Sequence, residues 1–420
     1  MEKNYFEEII GYGEIKLELS RILDQLTNPE KYAALGVTEP HGLLLHGVPG
    51  VGKSTMAQCL VEACGRTAFV CRKNKSNGDF VNEIVRVFDE AAEAAPSVIL
   101  LDDIDKFANE DERHCDSEEF VTVQACIDKV KAKRVFVVAT ANNVRKLPGS
   151  LTRAGRFDHV LKLDCPEGRD AEDIVAFYLA KKAYVANMDV KRIARLLEGK
   201  SCAQLETVVN QAGAYAAFDG RSRVEMKDMI KAILRIVFEA PESFSQDLST
   251  LPLTACHEAG HALVAEILQP DSVNLVTVLN HDSYAAGIIS LHRDEGYFHQ
   301  KRMMENRVMC LLAGKAAIEI CYGMVDPGAN EDLKRAFDIV HRFVDHYCSY
   351  GFSQFVFDKC PSNGVLDRRD SRVAAEMDHY YARTKQLIID NRAKLDKLTA
   401  RLIEEKTLLG DQVQEIIKCA

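Results

Sequence analysis

The sequence predicts an α/β domain built on a parallel sheet, then a helical segment, then a second, mainly α-helical domain. Three observations carry this. Up to about residue 165, short and wholly apolar runs alternate with amphipathic helical patterns. Strands of that kind are buried on both faces, as in a parallel sheet covered by helices. From about 166 to 240 the pattern is helical with short polar breaks. The stretch "EAPESFSQDLSTLP", Glu239 to Pro252, is rich in Pro, Ser and acidic residues and reads as a linker. The expected division is therefore 1–165, 166–240, a linker at 241–252, and 253–420.

The elements follow in order. "GEIKLELSRILDQL" is an amphipathic helix, and "HGLLLHG" is a short strand ending at glycine. "STMAQCLVEAC" is helical, "TAFVCRK" strand-like, and "FVNEIVRVFDEAAEAA" helical. "SVILLDD" and "RVFVVATA" are buried strands. Helices then run from "PEGRDAEDIVAFYLAKKA" to "MKDMIKAILRIVF". Beyond the linker the pattern is helical again, with a β-like stretch at "VNLVTVLN…YAAGIISLH". "MDHYYARTKQLIIDNRAKLDKLTARLIEEKTLLG" reads as one long amphipathic helical pattern.

Bulk composition narrows the function classes. A chain of 420 residues is too long for one ordinary core. The net charge of −10 argues against a general binder of nucleic acid or anionic membrane. Thirteen cysteines, an odd number with no Cys-x-x-Cys pair, read as buried reduced thiols. The longest apolar runs are of strand length, so no membrane span is expected. "MEKNYFEEII" is acidic at its start and unlike a signal peptide. The expectation is a soluble, cytoplasmic chain.

"GVPGVGKS" fits Gly-x4-Gly-Lys-Ser between a strand and a helix, the context of a P-loop. Gly47, Val48, Pro49, Gly50, Val51 and Gly52 would wrap the phosphates of ATP with backbone N–H groups, helped by the helix N-terminus. Lys53 would reach the β and γ phosphates, Ser54 would bind Mg²⁺, and Thr55 continues the helix. Asp102 ends an apolar strand, where a carboxylate can hold Mg²⁺ through water. Asp103 stands where many such ATPases place a glutamate that activates water. Its shorter arm leaves slow hydrolysis and ordinary hydrolysis both open. Asn142 ends another strand and can orient water near the γ-phosphate. Arg153 and Arg156 flank a turn, too far along the sheet to serve their own P-loop easily. They could reach a neighbour's nucleotide as arginine fingers in trans.

Together "GVPGVGKS", "ILLDDID", "ATANN" and "RAGRFD" resemble an AAA+ ATPase, and "KSCAQLETVVNQAGAYAA" resembles that family's helical lid.

"TACHEAGHALVAE" contains His-Glu-x-x-His. On a helix His257 and His261 share a face and can hold one zinc ion, with Glu258 as the general base. Small residues between them and an apolar continuation suit a buried helix. A third ligand is required, with a fourth position left for water. "HALVAEILQP" has no nearby glycine and third histidine, which excludes a metzincin pattern. Asp282, Glu319, Glu331 and Asp332 remain open by spacing alone.

"HEAGHALVA", "MCLLAGKAAIEICYG" and "DPGANEDLKRAFDIVHRFVDHYCSYGFS" resemble the protease domain of the FtsH family of AAA+ ATP-dependent zinc metalloproteases. The resemblance runs over nearly the whole chain. It implies an ATP-dependent endopeptidase that unfolds, translocates and degrades polypeptides as a homo-hexamer, with ATP, Mg²⁺ and one Zn²⁺ per chain. It also carries the third ligand to Asp332, in "GANEDL", with Asn330 as a plausible helix cap. Three departures stand out. The family's usual transmembrane helices do not stand between Met1 and the ATPase domain, which leaves open a soluble member or an anchor outside this sequence. Asp103 replaces glutamate. The pore-loop aromatic falls on Ser76, within Ser76, Asn77 and Gly78, with Phe80 the nearby substitute. Without an aromatic there, the loop would present Arg72, Lys73 and Lys75. Two alternative functions follow: a zinc peptidase with regulatory nucleotide use acting on unfolded substrates, and a nucleotide-switched remodelling or adaptor protein with a structural zinc.

Overall fold

The computed structural model describes residues 5–73, 77–108, 117–153, 155–185, 188–240, 250–279, 287–291, 301–345, 347 and 362–419. The chain forms two compact units, Met1–Met229 and Ile230–Ala420.

In the first unit, α1 (Gly13–Thr27) and α2 (Pro29–Ala33) precede β1 (Gly42–Gly47). Then come α3 (Lys53–Ala63), β2 (Thr67–Arg72), α4 (Asn77–Glu93), β3 (Ser97–Asp102), α5 (Ser117–Val130), β4 (Val135–Ala141) and β5 (His159–Leu163). The strands form one parallel sheet in the order β2-β3-β4-β1-β5. β3 and β4 are buried along their whole length, as their unbroken apolar sequences require. The edge strands β2 and β5 keep exposed positions. Because the strands are parallel, Gly47, Asp102 and Ala141 all end at one rim of the sheet, where α/β folds bind ligands. α6 (Gly168–Ala180), α7 (Val190–Leu196) and α8 (Cys202–Phe218) complete the helical series, and α9 (Met226–Val237) spans the division at Met229/Ile230.

In the second unit, α10 (Leu251–Leu268) leads into β6 (Val273–Thr277) and β7 (Ile288–Leu291). α11 (Lys301–Tyr322), α12 (Asn330–Asp345), α13 (Asn363–Asp390), α14 (Arg392–Glu405), β8 (Thr407–Leu409) and α15 (Gly410–Cys419) follow. β7, β6 and β8 make a small antiparallel sheet with β6 central and buried. α10 is buried on nearly every side, and α11, α13 and α14 pack around it.

Four expectations change. The long C-terminal helical pattern is two helices broken at Asn391, which leaves helical geometry at φ −120°, ψ 26°, and its end "TLL" is strand β8. Asn330 has helical φ and ψ and is the first residue of α12 rather than its cap. The turn before it is held instead by the Asp326 side chain, which accepts from the Gly328 N–H. Arg72 and Lys73 do not project as a free basic loop. Arg72 pairs with Asp102 at 2.8 Å and Lys73 with the buried Glu119 at 3.3 Å. Phe80 is fully buried and packs edge-on against Phe107, with ring centroids 5.0 Å apart. It belongs to the core cluster that includes Ile84, Phe88 and Val123, and so cannot grip a polypeptide in a pore. Asn77 and Gly78 open α4. Ser76, Lys75 and Asp282 lie outside the described residues.

Phe80→Ala should lower the stability of the nucleotide-binding unit by about 3–5 kcal/mol, the usual cost of emptying an aromatic core site. A urea titration following that unit's transition measures it. An unchanged midpoint would contradict the burial.

Candidate functional site

The first site gathers at the carboxyl rim of the parallel sheet. Gly50 and Gly52 take φ of 82° and 97°, the left-handed region open to glycine, and turn the loop over the start of α3. Val51 is buried and anchors the loop, while Val48 is exposed and Pro49, Gly50 and Thr55 lie on the exposed side. Lys53 is buried and its Nζ donates to the carbonyls of Gly47 and Val48, both at 2.9 Å. Burial depresses its pKa, opposed by Asp103, Asp105 and Asp102. The Ser54 hydroxyl donates to Asp102 Oδ1 at 3.0 Å, and Thr140 donates to the same oxygen at 2.8 Å. Serine and aspartate therefore share one point, as a Mg²⁺ site requires. Asp103 has φ 56°, a region that aspartate tolerates better than most residues. Its carboxylate accepts from Asn142 Nδ2 at 3.2 Å and pairs with Lys106 at 2.6 Å.

Two contributors to this rim are invisible to motif reading. Arg72 reaches Asp102 from the end of β2. The start of α8 docks on the loop, where Ala203 N–H donates to the Gly50 carbonyl at 3.0 Å. The signal for the second was present: "SCAQ" is a Ser-x-x-Gln capping box, formed here by Ser201 and Gln204. Arg153 is exposed. Arg156 is held by Asp128 at 2.7 Å and donates to the Ser150 carbonyl at 2.7 Å. Among the described residues no ion pair of that kind holds Arg153.

The second site lies on the buried helix α10. Among the described residues, His257, His261 and Asp332 form a group able to hold a metal ion, with donor atoms all within 4.8 Å of one another. The two Nε2 atoms are 2.9 Å apart, and Asp332 Oδ2 is 3.2 Å from that of His261 and 3.6 Å from that of His257. Tetrahedral zinc with nitrogen and oxygen donors at about 2.0–2.2 Å needs donor atoms roughly 3.3 Å apart. Asp332 comes from the first turn of α12. Of the other acidic candidates, Glu319 pairs with Lys385 and Glu331 with Arg335.

Both imidazoles are oriented from behind. His257 Nδ1 donates to Asp326 Oδ2 at 2.6 Å, and His261 Nδ1 donates to the Cys310 carbonyl at 2.6 Å. Each bond places the proton on Nδ1 and turns the Nε2 lone pair toward the shared point. Asp326 escaped the sequence reading because its role depends on a chain fold 69 residues away. Burial opposes a charge on His257, but the bonds to Asp326 and Asp332 outweigh it and hold its pKa up to about 10. Asp326 and Asp332 thus place carboxylates on either side of that ring. Two nitrogen donors and one carboxylate, set in that field, fit Zn²⁺.

Two glycines make the space. A Cβ on Gly314 would lie 2.4 Å from Cε1 of His257. A Cβ on Gly287 would lie 2.4 Å from Cγ of Glu258 and 2.7 Å from its Oε1. Glu258 is buried at 5% exposure, and burial raises its pKa, with His257 and His261 opposing. A carboxylate with a raised pKa beside a metal point suits proton transfer.

Fold and sites define a P-loop ATPase and a zinc peptidase on one chain. Comparison with known proteins agrees. Residues 43–165 match the family described as ATPase family associated with various cellular activities (AAA), and 247–357 match Peptidase family M41. The ATP-dependent zinc metalloprotease FtsH of Pelobacter propionicus is 29% identical, over 98% of this chain and 71% of its own length. Proteins of the same name from Thermus thermophilus and Bacillus subtilis are each 28% identical over 98% of this chain, and 70% and 69% of their own lengths. The chain thus carries an AAA ATPase domain followed by a Peptidase family M41 domain, and over 98% of its length it is similar to FtsH zinc metalloproteases. Among the described residues no helix is long and apolar enough to cross a membrane.

Gly314→Ala should weaken zinc binding by roughly 10–100-fold, since it displaces a ligand ring. Gly287→Ala should leave zinc content intact and lower peptide cleavage, since it displaces only Glu258. Metal analysis and a peptide assay on the two variants separate the effects. Asp326→Ala should also cost about 10–100-fold in zinc affinity, read by competition with a chelating dye. Wild-type affinity there would remove Asp326 from the site.

Proposed function

We propose that this protein is an ATP-dependent zinc endopeptidase that unfolds polypeptides, translocates them and cleaves them, working as a homo-hexameric ring. The observation that carries the reading is the convergence of His257 Nε2, His261 Nε2 and Asp332 Oδ2 beside Glu258, on a chain that also carries a complete P-loop rim. The relatives named as ATP-dependent zinc metalloproteases support it. The working division is a nucleotide-binding domain at 1–165, a lid at 166–240, a linker at 241–252 and a peptidase domain at 253–420.

His257, His261 and Asp332 would hold the zinc. When bound, zinc supplies a Lewis acid that makes water nucleophilic at neutral pH. Asp326 and the Cys310 carbonyl keep both histidines in the ligating tautomer. Glu258 takes up a proton at its carboxylate and passes it to the leaving amine. Its burial keeps the proton on the carboxyl long enough to be delivered, because the charged form is disfavoured there.

In the nucleotide-binding half, Gly47 to Gly52 wrap the phosphates, Lys53 turns from loop carbonyls to phosphate oxygens, and Ser54 and Asp102 hold Mg²⁺. Asp103, oriented by Asn142 and Lys106, aligns the attacking water. Arg153, exposed past the sheet rim, is the better placed of the two arginines to act on a neighbour's nucleotide, which supports the ring. The described cysteines are free thiols, which supports a cytoplasmic location.

Glu258→Gln should abolish casein cleavage, a loss of about 10²-fold or more, with zinc retained. Lys53→Ala should abolish ATP hydrolysis and the degradation of a folded, tagged reporter, while cleavage of a short peptide persists. Unimpaired casein cleavage by Glu258→Gln would overturn the peptidase assignment. ATP-independent degradation of the folded reporter would overturn the motor.

A further inference from the structure

Two thiols on the helices that build the zinc site take no part in the chemistry above. Cys256 immediately precedes His257 on α10, and Cys321 lies in the last turn of α11. The helices run antiparallel. His261 meets the Cys310 carbonyl, the His257 ring lies on Gly314, and Gly260 lies on Ala313 and Ala317. Contacts thus move toward the C-terminus of α11 as they move toward the N-terminus of α10. A Cβ on Gly260 would lie 2.7 Å from Ala317 Cβ, so the backbones approach closely there. One turn back along α10 from Gly260 is Cys256. One turn forward along α11 from Ala317 is Cys321. Both steps cover about 6 Å in the same direction, because four helical residues rise by that amount.

These steps make Cys256 and Cys321 neighbours across the seam, close enough for each thiol to influence the other's ionisation. Cys256 is buried at 1% exposure, and Cys321 is half-buried at the edge of the same core. Arg392 stands beside the pair, its guanidinium donating to the Ile320 carbonyl at 3.3 Å. Close backbones and two cysteines one turn along from the same close approach are the starting point a disulfide needs.

We propose that Cys256 and Cys321 form a redox modification site, a dithiol that a peroxide-class oxidant converts to a disulfide joining α10 to α11. Cys321, the more accessible thiol, gives two electrons to hydrogen peroxide. Its S–O bond forms as the O–O bond breaks, leaving a sulfenic acid and one water. The Cys256 sulfur then attacks the Cys321 sulfur. The S–S bond forms, the S–O bond breaks, and the departing hydroxide leaves with the Cys256 proton as a second water. Two thiols and one peroxide become one disulfide and two waters. A thiol-class reductant reverses the bond by exchange. The product would tie the residue next to His257 covalently to the helix on which that ring rests.

The test uses the full-length, zinc-loaded protein. It is treated with hydrogen peroxide, its remaining thiols are alkylated, and its peptides are mapped without reduction. The expected product is a cross-linked pair carrying Cys256 and Cys321, lighter by two hydrogens and lost on dithiothreitol treatment. In Cys321→Ser that species should vanish. This variant changes the half-buried partner, so the test does not depend on substituting the buried one. Free alkylation of both cysteines after peroxide would overturn the proposal. So would Cys321 oxidised without linkage to Cys256, or either cysteine bridged elsewhere.

Discussion

The peptidase half depends on one contact, the close antiparallel packing of α10 against α11. His257 and His261 sit on the face of α10 turned toward α11, and neither could point its Nε2 at a metal if the helices stood further apart. The Cys310 carbonyl could not then reach His261, and the His257 ring would lose its floor at Gly314. Small residues make the approach possible: Gly260, Ala313, Gly314 and Ala317 line the seam. Glycine inside a helix costs about 1 kcal/mol relative to alanine. Two are kept here, one in each helix, because a single methyl at Gly314 would occupy the ligand's place. The small-residue run in "HEAGHA" is thus a packing requirement of the metal site, and α10 is buried nearly all round for the same reason.

The nucleotide-binding half uses strand ends instead of a helix seam. A parallel sheet delivers Gly47, Asp102 and Ala141 to one rim, and hydroxyl groups then tie the rim together. Thr140 donates to Asp102 and accepts from the Asp103 N–H at 2.9 Å, so one side chain fixes both acids. Asp103 is bent into the left-handed region and held by Asn142 and Lys106. Its carboxylate, on the shorter arm, is thus fixed by a backbone turn and two side-chain partners.

Patterns with short range were legible in the sequence. The P-loop, the acidic strand end, the helical His-Glu-x-x-His and the buried parallel strands each depend on residues a few positions apart. What stayed hidden depends on the chain returning to itself. Asp326 behind His257, Gly287 against Glu258 and Arg72 on Asp102 have no local signature, and the capping box that starts α8 gives no sign that it docks on Gly50. Phe80 shows the reverse error. Its nearness in sequence to the loop suggested exposure, whereas helix α4 turns it inward onto Phe107. The break at Asn391 escaped because hydrophobic periodicity carries across a junction of only one residue.

Charge explains why the zinc site needs more than its ligands. Asp332, Glu258 and Asp326 place three carboxyl groups around two imidazoles in a nearly dry pocket. Their mutual repulsion is too large for all three to stay charged beside neutral histidines without a cation. The protein divides the burden. Asp326 is paired with a ring N–H and lowered in pKa, against the opposing effect of its burial. Asp332 faces both Nε2 atoms. Glu258, with no such bond among the described residues, is the group whose pKa burial raises. A divalent cation held by His257, His261 and Asp332 would pair with Asp332 and relieve the others, and Asp326 would then contribute to zinc affinity through His257. Glu258, whose pKa burial raises, would then be the carboxyl group best suited to gain and give a proton.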